Sequence, residues 1–194
     1  MEPNNITDSG NLIKRTEITL KNEIVVTIIK YSALDERTQQ VALKTIAEIN
    51  KKISTDGKKN WEECGYTSQL CQRLSNCINA KNTLFIAFDK TRPIGYVAFY
   101  TKQDNIDYAN KFLKNENEAY CSWTGIDEEY KGNGLAEFLK LQIFEPEHEI
   151  QIFRGHIKST NAASLKILQK FSDKGFLTTS EQVRHQHLYS VHKK

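Results

Sequence analysis

The stretch Trp123-Thr124-Gly125-Ile126-Asp127-Glu128-Glu129-Tyr130-Lys131-Gly132-Asn133-Gly134-Leu135-Ala136 decides the fold. It opens as the end of a β-rich run, Glu118 to Ile126, and closes as the start of a helix expected from about Asn133 to Phe144. A strand that enters a helix through two glycines leaves backbone N–H groups from about Gly132 to Ala136 unpaired at the positive end of the helix dipole. Such a turn suits an anion. A side chain at Gly132 or Gly134 would hold a phosphate away from the backbone, and small Ala136 lets the helix pack closely.

Outward from this turn the chain alternates strand and helix. Ile24 to Lys30 is a β-branched run, and Ile18 to Leu20 adds a short strand ahead of it through Lys21-Asn22. From Leu34 to Ile53, Ala42, Ile46, Ile49 and Ile53 recur at helical spacing, and Leu70, Leu74, Cys77 and Ile78 mark a second helix near Tyr66 to Asn79. Thr83 to Phe88 and Ile94 to Lys102 read as an antiparallel hairpin closed by Asp89-Lys90-Thr91-Arg92-Pro93. Ile150 to Ile157 is the next strand, Thr160 to Lys174 the last helix, and Phe176 to Val191 two closing strands. A strand, helix, strand succession implies parallel neighbours joined by a right-handed crossover. The expected architecture is one α/β domain, residues 18–194, behind a mobile polar tail, residues 1–17.

Composition narrows the classes. Of 194 residues, 39% are hydrophobic and 26% charged, so the chain is too apolar for wholesale disorder, and 9 Gly with 3 Pro exclude a collagen-like fibre. Lys plus Arg exceeds Asp plus Glu by only three, 27 against 24, which argues against a nucleic-acid partner. With no long apolar run and no basic, apolar leader, a membrane partner is not expected and a cytoplasmic location is. The four cysteines, Cys64, Cys71, Cys77 and Cys121, contain no C-x-x-C pair, and His185 with His187 is two ligands short of a zinc site, so no metal is expected.

Two nucleotide readings of the glycine turn fail on their own motifs. A dinucleotide G-x-G-x-x-G would need glycine where Glu137 stands, and no G-x-x-x-x-G-K-[ST] string exists. A glycine-rich turn that holds no ligand remains open on the residues alone. The segment does resemble the acetyl-CoA signature [QR]-x-x-G-x-[GA] of the GCN5-related N-acetyltransferase superfamily, with Lys131, Gly134 and Ala136 at its fixed positions, Ile126 five residues before and Tyr130 as the preceding aromatic. His156-Ile157-Lys158-Ser159-Thr160-Asn161-Ala162-Ala163-Ser164-Leu165, followed by Gly175-Phe176, is similar to the family's downstream strand, Asn-x-x-[AS] helix start and closing Gly-Phe. The resemblance spans about residues 24 to 191.

The resemblance implies an acyl-CoA N-acyltransferase fold: a mixed, mostly antiparallel central sheet of about 6–7 strands with helices on both faces. It implies acetyl-CoA as co-substrate and a primary amine, small molecule or protein, as acceptor, reacting by direct attack in a ternary complex. The pantetheine arm would pair with Thr124, Gly125 and Ile126, and the pyrophosphate would rest on Lys131, Gly132, Asn133, Gly134, Leu135 and Ala136. Asn161 would meet the pantetheine with Ser164 nearby, a role compatible with capping the helix. The chain departs from the family in two places. Lys131 replaces Arg or Gln and loses a bidentate fork. Leu168 stands where a Tyr often protonates the leaving thiolate. The alternative is therefore a catalytically silent CoA-binding module with a regulatory or scaffolding role. A monomer or a homodimer fits either.

Direct attack needs a neutral amine. Deprotonating a lysine-like amine at pH 7 costs about 4.6 kcal/mol, against about 1.1 kcal/mol for an α-amine. In an ideal strand residues 118, 120, 122, 124 and 126 share one face, which puts Glu118, Tyr120 and Ser122 toward the reaction cleft and Cys121 toward the core. A β-bulge would reset that parity. Glu118, acting through water, is the expected base. Tyr120 is expected to wall the site or donate to the leaving thiolate. Acceptor choice is expected to lie with the N-terminal helices and the Trp61-Glu62-Glu63 loop, although an exposed acidic pair is more often simply solvated.

Overall fold

The computed structural model of the chain describes residues 15–55 and 83–194. The expected second helix, the Trp61-Glu62-Glu63 loop and the cysteines before Cys121 lie outside the described residues. Eight strands form one sheet: β1 (Arg15–Thr19), β2 (Val25–Lys30), β3 (Leu84–Asp89), β4 (Arg92–Thr101), β5 (Glu118–Ile126), β6 (Ile152–Lys158), β7 (Leu177–Val183) and β8 (Gln186–His192). Their order is β1-β2-β3-β4-β5-β6-β8-β7, with every pairing antiparallel except β5 with β6. The described helices are α1 (Glu36–Thr55), a single turn α2 (Asp107–Asn110), α3 (Leu135–Leu141) and α4 (Ala162–Asp173).

The sheet is larger than expected by one or two strands, for physical reasons visible in the chain. The strand begins at Arg15, so residues 15–17, assigned above to the tail, are paired with β2. The hairpin turn is tighter than read: Lys90 takes a positive φ of 55° and the strand resumes at Arg92, with Pro93 opposite Phe88 where the register shifts. Such an irregularity is where a strand tolerates proline. The helix α4 does not return to a neighbour of β6, because β8 pairs with β6 along its whole length and β7 lies outside it.

Two apolar clusters cover the faces. On one, Ala42, Ile46 and Ile49 of α1 pack with Ile86, Tyr96, Tyr100 and Tyr120. On the other, Leu135 and Leu139 of α3 and Phe171 of α4 pack with Val97, Phe99, Cys121, Phe153 and Tyr189. Full burial of such side chains contributes about 1.5–3 kcal/mol each, enough to fix both helix layers. Among the described residues no helix is long and apolar enough to cross a membrane.

Candidate active site at the parting of two strands

β5 and β6 begin as parallel partners, Glu118 opposite Ile152 through Cys121 opposite Gly155, and then separate. Past that point residues 123–126 pair only with β4, and residues 156–158 only with β8. The parting leaves one edge of β5 without a strand partner among the described residues, a template for anything that can pair as a strand. Its local cause is a β-bulge. Ala98 faces Trp123 while Phe99 faces Cys121, so Ser122 is an extra residue that kinks β5 away from β6.

The bulge also corrects the parity of the ideal strand. Tyr120 and Trp123 share the α1 face, as does Gly125, where a methyl would collide with the Tyr96 ring and approach Ile49 Cγ2 to 3.0 Å. Cys121 and Ile126 pack in the α3 cluster, and Thr124 Oγ1 lies 3.7 Å from Cys121 Sγ. Thr124 and Ile126 therefore lie opposite Tyr120, not beside it. Cys121 is core, as expected, and the Lys140 ammonium donates to its sulfur at 2.9 Å.

Directly beyond Ile126 the chain is clamped to the β3–β4 hairpin. Asp127 N–H donates to Ile94 carbonyl, Arg92 bridges Asp127 and Glu129 at 3.0 Å each, and Tyr130 Oη donates to Asp89 at 2.6 Å. Asp89 beside it and burial push the Tyr130 phenol up to about 12. Gly132 and Gly134 then take φ of 80° and 92°, a region that costs other residues about 1–2 kcal/mol. Among the described residues the N–H groups of Gly132, Asn133, Gly134, Leu135 and Ala136 donate to no protein acceptor. Asn133 instead offers its side-chain amide to the Lys131 carbonyl at 3.2 Å. Lys131 pairs with Glu128, an exposed contact of small worth that an arriving anion can displace. Across the parting, Asn161 caps α4 by accepting from Ser164 N–H at 3.1 Å, which leaves its amide nitrogen available. Leu168, at the place of the family's Tyr, is packed into the α3 cluster.

Glu118 and Tyr120 occupy different settings. Glu118 is 1% exposed and its carboxylate accepts from Arg154 at 2.9 and 3.0 Å, Lys114 N–H at 2.8 Å and Asn115 at 3.2 Å. Burial alone would raise its pKa, but Arg154 and these donors more than offset it and the net shift is downward. A carboxylate so satisfied is a clamp between β5, β6 and the loop before β5, and a poor acceptor for a further proton. Tyr120 Oη lies 2.7 Å from Tyr108 Oη and 2.7 Å from His156 Nδ1. Phe112 stacks on its ring, 5.4 Å between centroids, and meets the His156 ring edge-on at 4.6 Å. Burial, then Tyr108, pushes the Tyr120 phenol well up, and burial pulls the His156 imidazole down, so both are neutral near pH 7.

Tyr108, Phe112, Arg154 and His156 were not among the residues singled out from the sequence for the site. The signal was present in β6, where Arg154 and His156 alternate onto one face and a parallel register with β5 sets them beside Glu118 and Tyr120. Among the described residues no group of His, Cys, Asp and Glu is arranged to hold a metal.

Comparison with known proteins places this geometry. Residues 44–171 match the family model described as the acetyltransferase (GNAT) family. The fold is similar to that of a diaminobutyrate acetyltransferase from Paenibacillus lautus in complex with its substrate L-2,4-diaminobutyric acid and coenzyme A, at 12% identity and TM-score 0.53 over 79% of this chain and 89% of that one. It is similar to the PaiA N-acetyltransferase from Thermoplasma acidophilum in complex with coenzyme A, at 13% identity and TM-score 0.58 over 87% and 99% of the two chains. A ribosomal-protein-alanine N-acetyltransferase from Brucella melitensis aligns at 18% identity and TM-score 0.52 over 78% and 93%. At these identities the likeness is one of fold. No curated protein matches the sequence.

Proposed function

This chain belongs to the acetyltransferase (GNAT) family, and we propose that it transfers an acetyl group from acetyl-CoA to a primary amine by direct attack in a ternary complex. The observation that carries the proposal is the conjunction of the β5–β6 parting with the glycine turn one loop further on. A pantetheine arm laid in the parting pairs with the free edge at Thr124, Gly125 and Ile126. Its diphosphate then reaches the open N–H groups from Gly132 to Ala136, with Lys131 released from Glu128 toward it. Asn161 and Ser164 flank the arm from the start of α4. Hydrogen bonds to charged groups contribute roughly 1.5–3 kcal/mol each, so four or five anchor a cofactor after ordering costs. Two fold neighbours are described as complexes with coenzyme A, which supports this placement.

The missing Tyr at Leu168 does not disable the chemistry. A thiolate whose conjugate acid has a Cys-like pKa of about 8.5 takes its proton from water near neutrality at little cost. Positioning does much of the rest, worth about 7–11 kcal/mol in well-oriented reactions. Tyr120 sits at the mouth of the parting and is the side chain we assign to the reacting centre, whereas Glu118 holds the scaffold. The saturated Glu118 and apolar Leu168 also favour a second reading, a CoA-binding module that does not transfer. The test is free-thiol release from acetyl-CoA against lysyl peptides, α-amino peptides and polyamines, with mass spectrometry of the products. Acetylated amine supports transfer, and coenzyme binding without any acetylated product selects the silent module.

A further inference from the structure

We propose that His156, Tyr120 and Tyr108 form a proton relay that takes a proton from the acceptor amine at the mouth of the cleft and delivers it to solvent. The proposal rests on the acetyl-transfer reading above and assigns its acid–base path. His156 is the first residue of β6 beyond its last pair with β5, so it stands at the fork. Its Nδ1 is 2.7 Å from Tyr120 Oη, which is 2.7 Å from Tyr108 Oη, and Tyr108 is 52% exposed. Among the described residues Nε2 has no hydrogen-bond partner. One end of the chain of bonds is thus open at the fork and the other open to water.

The stoichiometry requires such an exit. When an ammonium becomes an amide, nitrogen loses two protons as the N–C bond forms and the C–S bond breaks with its electron pair on sulfur. One proton ends on sulfur and the other on solvent. A neutral imidazole carrying its hydrogen on Nδ1 accepts at Nε2 and donates from Nδ1 to Tyr120 Oη. Tyr120 donates in turn to Tyr108, and Tyr108 to water; each phenol keeps one hydrogen, the imidazole is left with its hydrogen on Nε2, and proton exchange with water restores the Nδ1 tautomer before the next turnover. The groups facing His156 fit a neutral resting state. β5 brings Tyr120, with Glu118 already paired to Arg154 of β6. β8 brings uncharged Leu188 opposite it and Ser190 beside that. α2 and the residues after it bring Tyr108 and Phe112, with exposed Asp107 and Lys111 next to them. α1 packs on β4 and β5 through Ala42, Ile46 and Ile49.

Two measurements test the relay. In the free chain, nitrogen NMR of His156 is expected to show the Nδ1-protonated tautomer, titrating below the ordinary histidine midpoint of about 6.5 and shifting in Tyr120→Phe. An Nε2-protonated ring, or a midpoint indifferent to Tyr120→Phe, overturns the proposal whether or not an acceptor is known. With the amines that release thiol, His156→Gln is expected to lower kcat/KM by about 10²-fold or more and to remove the acid limb of its pH profile, at unchanged coenzyme-induced thermal stabilisation. Activity that keeps the wild-type acid limb, or falls equally at every pH, overturns the relay while leaving acetyl transfer standing. A wild-type chain that binds no coenzyme and releases no thiol overturns the functional reading instead.

Discussion

Replacing Glu118 with Gln separates a scaffold role from a catalytic one. The carboxylate is 1% exposed and its Arg154 partner 18%, so solvent screening is slight at this pair. Glu118→Gln removes the charge that four hydrogen bonds are built around and sets an amide N–H₂ against donors from Lys114, Asn115 and Arg154. Removing one partner of a buried pair costs about 3–5 kcal/mol. For a domain of this size 1 kcal/mol moves the melting temperature by about 2–4 °C, so a fall of about 10 °C is expected. The pH dependence has a definite sign. The folded pKa of Glu118 lies below its unfolded value, so the folded state gains its stabilisation fully above the unfolded pKa and loses it as pH falls through the folded one. Thermal and urea melts between pH 3 and pH 7 read this directly. The wild type is expected to lose stability toward the acid end, and Glu118→Gln to be flatter there. A variant within 1 kcal/mol of wild type at pH 7 that has lost the acid limb of an amine acetylation profile refutes the clamp and restores Glu118 as base.

Gly125→Ala is expected to destabilise by about 1–3 kcal/mol through overpacking, because its methyl meets the Tyr96 ring and Ile49 beneath β5; chemical denaturation measures it. Gly132→Ala tests a different face of the same segment. Nothing lies within 4 Å of a Cβ there, so the free protein is expected to lose only the cost of φ 80°, about 1–2 kcal/mol. Its thermal rise on adding coenzyme A, about 2.7 kcal/mol for wild type at a hundredfold excess over Kd, is expected to collapse. A rise equal to that of wild type places the anion elsewhere.

What could be read from the sequence was local. The β-branched run at Ile24 to Lys30, the stripe of Ala42, Ile46 and Ile49, and the glycines at 132 and 134 each carry a short-range signature, and the element each announces is present. The face on which a β5 side chain emerges was not readable in that way. Glu118, Ala119, Tyr120 and Cys121 are all buried, so burial on both faces erases the alternation that would reveal the bulge at Ser122. Glu118 looked like an available base because its partner, Arg154, is 36 residues away and arrives only through the parallel pairing of β5 with β6. His156 was hidden for the same reason. The first strand was read only at Ile18 to Leu20 because β1 begins inside a polar terminus, where Arg15, Thr16 and Glu17 show no apolar pattern.

A crystal structure with coenzyme A in excess tests the account most directly. The diphosphate oxygens are predicted within about 3 Å of the N–H groups between Gly132 and Ala136, with the pantetheine arm entering between β5 and β6. Coenzyme bound away from that turn, or a turn that stays vacant at saturation, contradicts it.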